Sequence, residues 1–325
     1  MTVTTDARLR DRALARTLPL MPRGLVRRVA APYIAGDRLE EAVSSVAALT
    51  QRGMATTLDV LGEAITREDQ ARATAGEYLD ALDALHALGA PDLVNVSVKL
   101  TALGLSFDEA LAEKLMLSIV ERAERFGGFV RIDMEDTPYT DATLGMFERL
   151  RAAGHEDVGV VLQAYLKRTL EDATRLAQTG ARVRVVKGIY VEPEALAFRD
   201  MGTVNGNFIA VSRVLAEAGC HVAFATHDDA LVEATGRLVR ELGLGPEQYE
   251  YQMLLGVREP LRDRLVREQQ PMRIYVPYGA RWYEYSLRRL RENPRVAGHV
   301  AGDVLRTFGR RFGRPARHPT DAART

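Results

Sequence analysis

Hydrophobic and polar positions along the chain form eight short runs of β-type sequence, separated by amphipathic segments of helix length. The runs cover residues 55–60, 94–100, 128–134, 158–165, 181–188, 221–227, 249–254 and 273–279. Strands that alternate with helices are typical of a parallel sheet, and eight such strands favour closure into a barrel. The pattern therefore predicts an α/β protein with a (β/α)8 barrel.

Several of these runs carry polar residues on one face and apolar residues on the other. In the second run Val96 and Val98 alternate with Asn95, Ser97 and Lys99. The apolar faces must pack against the helices, so we expect the polar faces to point into the barrel, where Val, Ile and Leu are usual. Buried charges are costly unless they are paired or hydrogen-bonded. A large polar ligand in the barrel mouth would explain them.

The chemistry of barrel enzymes lies at the C-terminal ends of their strands. The polar residues predicted there are Lys99, Asp133, Gln163, Arg184, Lys187, His227, Gln252 and Tyr275, with Asp59 at the end of the first run. The alternative interpretation is a structural set of buried ion pairs, such as Lys99 with Asp133. Because buried pairs rarely add net stability, a ligand site is favoured.

A second candidate constellation follows the last predicted strand. Tyr285, Arg288, Arg289 and Glu292 have the spacing that places them on one face of a helix. Two neighbouring guanidinium groups can bind a carboxylate through charge-assisted hydrogen bonds, and a tyrosine one turn away can supply an apolar wall. The spacing indicates a pocket for a small anion, and a solvated helix face is the alternative.

The chain is long enough for one barrel with additions at both ends. We predict an N-terminal helical arm over residues 1–50, a catalytic barrel over 51–305 and a basic tail over 306–325. The long connection at 189–206 is typical of an active-site loop. Scattered His and Cys residues predict no metal site, and neither a dinucleotide-binding glycine motif nor a P-loop is present.

Charge and hydropathy limit the binding partners and the cellular compartment that the sequence supports. Lys plus Arg and Asp plus Glu are equal at 44 each, which gives no support to nucleic-acid binding. The sequence predicts neither a transmembrane helix nor a secretory signal, and its single cysteine fits a reducing compartment. These features favour a cytoplasmic protein. Its Arg-rich ends could contact anionic lipid at the inner face of the cell membrane, or could simply be solvated.

Seven ordered motifs resemble the proline dehydrogenase family, which includes a domain of the bifunctional proline utilization proteins. They are SVKLTALG at 97–104, RIDMED at 131–136, QAYLKRT at 163–169, RVVKGIY at 184–190, FATH at 224–227, YQMLLGV at 251–257, and RIYVPYG with YSLRRLREN at 273–293. The resemblance implies a distorted barrel whose last helix crosses the mouth. It also implies oxidation of L-proline to Δ1-pyrroline-5-carboxylate, with FAD as hydride acceptor and a membrane quinone as electron acceptor.

The resemblance also implies roles for individual residues. The substrate-binding set is Lys99, Tyr190, Leu254, Tyr275, Tyr285, Arg288 and Arg289. The cofactor-binding set is Asp133, Gln163, Arg184, Lys187, Thr226, His227, Gln252, Arg289 and Glu292. The catalytic set is Lys99, Asp133, Arg184 and Tyr275. Lys99 and the two helix arginines would bind the proline carboxylate, and Arg184 would stabilise the reduced flavin by its charge.

Two positions depart from the family pattern. Ile189 stands where the family usually has alanine, and it would crowd the substrate pocket if its side chain pointed inward. Asp228 stands where the family often has asparagine. Because a carboxylate would be repelled by FAD phosphates, we expect Asp228 to face away from them.

Three alternative functions stay open at this point. The first is an FAD dehydrogenase of hydroxyproline or another cyclic imino acid, against which Tyr275 argues because related hydroxyproline enzymes are expected to carry a smaller residue there. The second is a cofactor-free barrel lyase with Lys99 or Lys187 as a Schiff base. The third is a binding protein without activity.

Overall fold

The structure, a computed structural model, describes Arg27 and residues 30–62 and 65–283 of the chain. The strands are β1 Ala55–Val60, β2 Asn95–Val98, β3 Phe129–Ile132, β4 Val158–Gln163, β5 Arg182–Val186, β6 His221–Ala225, β7 Tyr249–Leu254 and β8 Met272–Tyr278. The helices are α1 Leu39–Gln51, α2 Glu68–His86, α3 Glu109–Arg125, α4 Thr140–Ala152, α5 Thr169–Ala177, α6 Met201–Glu217, α7 Asp229–Leu242 and α8 Glu259–Arg267.

The eight strands form one closed, all-parallel barrel in sequence order. Closure is made by β1 and β8, which pair in register from Ala55 opposite Arg273 to Val60 opposite Tyr278. Helices α2 to α8 connect consecutive strands, whereas α1 precedes the barrel and packs against β1 and β8. The predicted (β/α)8 fold is confirmed.

The core of the protein lies between the strands and the helices, as the strand pattern predicts. Val96, Val98 and Ile132 on the outer strand faces are completely buried, as are Leu82 on α2 and Met116 on α3. Burying one such side chain contributes roughly 1.5–3 kcal/mol. This apolar layer fixes the outward face of each strand and thereby sends the alternate residues into the barrel.

Local signals position the helices that follow the strands. Asp108 caps α3 by accepting a hydrogen bond from the Leu111 amide at 2.9 Å, and Asp200 caps α6 by accepting one from the Thr203 amide at 2.7 Å. An N-cap carboxylate satisfies an otherwise unpaired amide at the start of a helix. These caps set where the loops that follow β2 and β5 end.

Several strands end earlier than the predicted runs, and two of these ends shape the site. The run 94–100 contributes only Asn95–Val98, because a 3-10 helix begins at Leu100 and ends in Gly104, whose φ is +103°. The strand within the run 128–134 similarly stops at Ile132. Lys99 and Asp133 therefore lie just beyond the strand ends, in the barrel mouth.

Residues 31–282 form one compact unit that contains the barrel and α1. The division into an arm over 1–50, a barrel over 51–305 and a tail over 306–325 stays a prediction. No helix in the described ranges is both long and apolar enough to span a membrane. The predicted contact of the basic ends with lipid falls mainly on residues outside the described ones.

Candidate active site

Arg184 lies at the centre of the polar cluster inside the barrel. From β5 its guanidinium donates to Asp133 Oδ1 at 2.6 Å, Ser97 Oγ at 2.9 Å and Gln252 Oε1 at 2.5 Å. These partners come from β2, from the end of β3 and from β7, so the side chain crosses the barrel. Three of the five N–H groups of the guanidinium are thus engaged among the described residues.

Lys99 and Tyr275 complete this cluster on the other side of Asp133. Lys99 Nζ donates to Asp59 Oδ1 at 2.8 Å and to the Tyr275 hydroxyl at 3.2 Å. The Tyr275 hydroxyl in turn donates to Asp133 Oδ2 at 2.7 Å. The structure therefore brings together all four predicted catalytic residues. We call Asp59, Lys99, Asp133, Arg184 and Tyr275 the mouth cluster.

The cluster keeps Lys99 charged. Burial alone would lower the pKa of Lys99. The electrostatic attraction of Asp59, Tyr275 and Asp133 is stronger than this effect and raises the pKa well above its usual range. A Schiff-base lysine needs a neutral amine, which an apolar pocket would favour and this arrangement opposes. The geometry therefore argues against the lyase alternative for Lys99.

Asp59 is a member of the cluster that the predicted site sets do not contain. It is fully buried, and its Oδ2 has no hydrogen-bond partner among the described residues. Burial raises the pKa of Asp59, against the opposing charge of Lys99. The sequence signal is its position at the C-terminal end of β1, where it lies in register with Ser97 of β2. The carboxylates of Asp59 and Asp133 balance the charges of Lys99 and Arg184.

The predicted cofactor residues lie around this cluster at the ends of neighbouring strands. Gln163 on β4 donates through Nε2 to the Glu135 carbonyl at 2.8 Å. Lys187, just after β5, contacts Asp228 Oδ2 at 2.6 Å. The Asp228 amide donates to Thr226 Oγ1 at 3.2 Å. Asp228 thus faces Lys187, so its charge neutralises a cation of this predicted set.

His227 and Leu254 are joined by a hydrogen bond between β6 and β7. The Leu254 amide donates to His227 Nε2 at 2.9 Å, so Nε2 is an acceptor and the proton lies on Nδ1. Burial lowers the pKa of His227 to about 4. The imidazole is therefore neutral at physiological pH and offers an N–H donor.

The loop after β5 carries Tyr190 and Ile189. The side chain of Tyr190 is half-buried, whereas that of Ile189 is 43% exposed and so is not packed inside the barrel. Gly188 precedes them with a φ of +105°, and a Cβ there would lie 2.0 Å from the Tyr165 ring. Only glycine fits this turn. Glu192 holds the loop by accepting from the Thr137 amide at 2.7 Å.

The second predicted constellation lies outside the described residues. It comprises Tyr285, Arg288, Arg289 and Glu292. Its assignments, and the last helix predicted to cross the barrel mouth, stay predictions from the sequence.

Comparison with known proteins identifies the family. The profile of the proline dehydrogenase family matches residues 42–302. The chain belongs to this family. It is 37% identical over 279 residues to the proline dehydrogenase of Deinococcus radiodurans, an alignment that covers 84% of this chain and 89% of that protein. Proline dehydrogenase 1 of Bacillus subtilis strain 168 is 36% identical over 276 residues, with 84% and 90% covered.

A solved structure shows the same fold. Proline utilization A of Bdellovibrio bacteriovorus superposes with a TM-score of 0.78 at 24% sequence identity. The match covers 89% of this chain but only 37% of that longer chain. The family resemblance drawn from the motifs is therefore confirmed, together with the barrel and the assignment to oxidoreductases of proline catabolism.

Proposed function

We propose that this protein oxidises L-proline to Δ1-pyrroline-5-carboxylate, transfers the hydride to FAD and passes the electrons on to a membrane quinone. The observation that supports this proposal is the mouth cluster, in which Lys99, Asp133, Arg184 and Tyr275 are held together at the C-terminal ends of the strands. This is where barrel enzymes carry their chemistry, and here it occurs on a chain of the proline dehydrogenase family.

The substrate end of the site is assigned to the residues around Lys99. Its ammonium group, with Arg288 and Arg289 of the sequence motif, supplies the positive charge that binds the proline carboxylate. Tyr275 and Leu254 lie in register on β8 and β7 and offer apolar surface for the pyrrolidine ring. We extend this wall to Tyr190 and Tyr285. Asp133, already bonded to Arg184 and Tyr275, would stabilise the cationic product by its charge.

The remaining polar groups fit FAD. Arg184 has N–H groups left after its three bonds, His227 offers Nδ1–H, and Lys187 supplies an ammonium group. A flavin ring presents mainly acceptors and its diphosphate is anionic, so a set rich in donors suits it. We assign Asp133, Gln163, Thr226, Gln252, Arg289 and Glu292 to the same site. When bound, FAD supplies the hydride acceptor, and Arg184 favours its reduced form by charge.

The structure favours this function over the alternatives. Lys187 and Lys99 each contact a carboxylate, at 2.6 and 2.8 Å, so neither has the apolar surroundings that a Schiff-base amine requires. The Tyr275 hydroxyl already engages Lys99 and Asp133. Related hydroxyproline enzymes are expected to carry a smaller residue at this position, which favours proline over hydroxyproline.

The proposal includes an electron acceptor and a location in the cell. The quinone acceptor is implied by the family resemblance, and the location we propose is cytoplasmic, with peripheral contact at the inner face of the membrane. The Arg-rich ends, with Arg8, Arg10, Arg310 and Arg311 among them, supply the charge for that contact.

The deciding experiment is the visible spectrum of the purified full chain before and after anaerobic addition of L-proline. We expect a flavin spectrum that is bleached by L-proline and not by D-proline. A flavin that stays oxidised would reject proline as the substrate and leave the cofactor in place. A colourless protein that cannot bind added FAD would reject the cofactor.

Replacing either helix arginine with alanine tests the carboxylate assignment. We expect Arg288→Ala and Arg289→Ala each to raise KM for proline about thirtyfold, because each change removes about 2 kcal/mol or more of charged hydrogen bonding. Steady-state kinetics with each variant measures this. Unchanged proline saturation in both variants would contradict the assignment. Arg291→Ala, in the same segment but absent from the predicted set, is the control.

A further inference from the structure

A second layer of polar side chains, most of them charged, lies beneath the mouth cluster at the N-terminal end of the barrel. Its members are Arg131, Arg182, His221, Glu250 and Arg273, and we call them the barrel floor. Glu250 is its only carboxylate and is 7% exposed. Arg273 Nε lies 3.0 Å from both carboxylate oxygens of Glu250. Burial opposes the charged carboxylate, but Arg273 and His221 hold the pKa of Glu250 at about 2.

The floor is connected to the mouth cluster through one amide. Gln252 lies two residues beyond Glu250 on the same face of β7, and its Nε2 donates to Glu250 Oε1 at 2.5 Å. Its Oε1 accepts from Arg184 Nε, also at 2.5 Å. A continuous chain of hydrogen bonds therefore runs from Arg273 through Glu250 and Gln252 to Arg184.

The chemistry of these groups fixes the orientation of the amide. The ionised Glu250 carboxylate can only accept hydrogen bonds, and the Arg184 guanidinium can only donate them. Gln252 must therefore turn its NH2 group toward Glu250 and its oxygen toward Arg184. The flipped amide would place two donors against each other at Arg184 and two acceptors against each other at Glu250. Buried groups left unpaired in this way cost about 1–3 kcal/mol each.

We propose that Glu250, on the barrel floor, is a positioning residue for Arg184. It fixes the Gln252 amide so that the amide oxygen accepts from Arg184 Nε, and this directs the remaining guanidinium N–H groups to the cofactor assigned above. The inference rests on the proposed function for its effect on turnover, but not for its effect on the Arg184 side chain. Glu250 itself acts only through Gln252 and Arg184.

The test is Glu250→Leu in the full-length flavoprotein. Leucine has no acceptor, so the Gln252 NH2 group loses the partner that holds the amide in place. We expect kcat for proline to fall about tenfold with KM within about twofold, a flavin midpoint potential shifted to more negative values, and a crystal structure in which Arg184 Nε has left Gln252. Arg182→Met is the matched control, because among the described contacts this floor arginine makes no hydrogen bond to Glu250 or Gln252.

A conservative variant separates positioning from general damage to the floor. In Glu250→Gln the amide oxygen can take the place of Oε1, which accepts from both Gln252 Nε2 and Arg273 Nε, so Gln252 can keep its orientation. We expect Glu250→Gln to keep most of the kcat and the flavin potential that Glu250→Leu loses. Equal losses in Glu250→Leu and Arg182→Met, or losses in Glu250→Gln as large as those in Glu250→Leu, would overturn the proposal.

The two proposals fail in different ways. If L-proline does not reduce the wild-type protein, the proposed function is wrong, and the position of Arg184 in the Glu250→Leu crystal structure still decides the inference. If the wild type oxidises proline, and in the variant Arg184 keeps its position and the flavin keeps its midpoint potential, only the inference is wrong.

Discussion

Replacing Arg184 with methionine is expected to lower kcat for proline oxidation by about a hundredfold or more. The side chain is 5% exposed and supplies a fixed positive charge at the centre of the mouth cluster. Preorganised charges of this kind, aimed at charge that develops during the reaction, typically contribute that much to the rate. Stopped-flow reduction of the bound flavin by L-proline measures the effect. We also expect the flavin midpoint potential to become more negative, since the cation no longer favours the reduced form.

The matched control lies on the same strand. Arg182 precedes Arg184 by two residues, shares its strand face and stacks on the Phe129 ring with the guanidinium carbon 4.5 Å from the ring centroid. Arg182→Met removes the same kind of side chain from the barrel floor, so its effect on flavin reduction should be small. If both variants lose the same fraction of rate, Arg184 has no special role and the loss reflects damage to the barrel interior.

The sequence was sufficient to predict that charges line this barrel. The strand pattern placed Ser97 and Arg184 opposite apolar residues that must face the helices, and the structure puts them inside, 2.9 Å apart. Which charges meet was not predictable from the pattern. These two residues are 87 positions apart in the chain, and they meet only because the barrel closes and brings β5 across to β2.

Asp59 lies in a strand where the alternation of polar and apolar residues does not identify the inward face. In β1 both Thr56 and Thr57 are polar, so the strand has no clean alternation to reveal its inward face. The register resolves this, because Asp59 lies opposite Ser97 on β2. The pairing of Asp59 with Lys99 also depends on β2 ending at Val98, which frees the lysine to turn toward β1. Strand ends are set by the loops, and the alternating pattern does not contain them.

The same limit applies to the barrel floor. Glu250 and Arg273 have the inward parity of their strands, so their burial could be foreseen from the pattern. The orientation of the Gln252 amide between Glu250 and Arg184 could not, because it results from two hydrogen bonds that meet on one side chain. Sequence parity thus predicts which residues enter the barrel, and their donor and acceptor chemistry then decides how they are arranged.

Replacing Lys99 with methionine is expected to destabilise the protein by about 3–5 kcal/mol at pH 8. The change leaves the fully buried Asp59 carboxylate without its ammonium partner at 2.8 Å, and a buried charge deprived of its partner costs about that much. Denaturant unfolding of the purified full chain measures the loss. The Tyr78 hydroxyl, 3.4 Å from Asp59 Oδ1, is too weak a donor to compensate for the ammonium.

The loss should shrink as the pH falls. Burial already raises the pKa of Asp59, and removal of Lys99 takes away the charge that opposes this rise. A carboxyl group whose folded pKa exceeds its unfolded value stabilises the fold below the unfolded value, and this contribution is lost as the pH rises through the folded pKa. Lys99→Met should therefore regain stability toward acid relative to the wild type, as Asp59 takes up a proton.

A double-mutant cycle assigns the effect to the pair. Asn at position 59 is neutral, so Asp59→Asn with Lys99→Met should be more stable at pH 8 than Lys99→Met alone, and its stability should lose most of the added pH dependence. Asp133 keeps Arg184 and Tyr275 as partners in every variant, so it should contribute little to the difference. Additive losses in the two single variants would mean that the two residues act independently. A coupling of several kcal/mol would instead show that Asp59 is the group that makes a charged Lys99 tolerable inside the barrel.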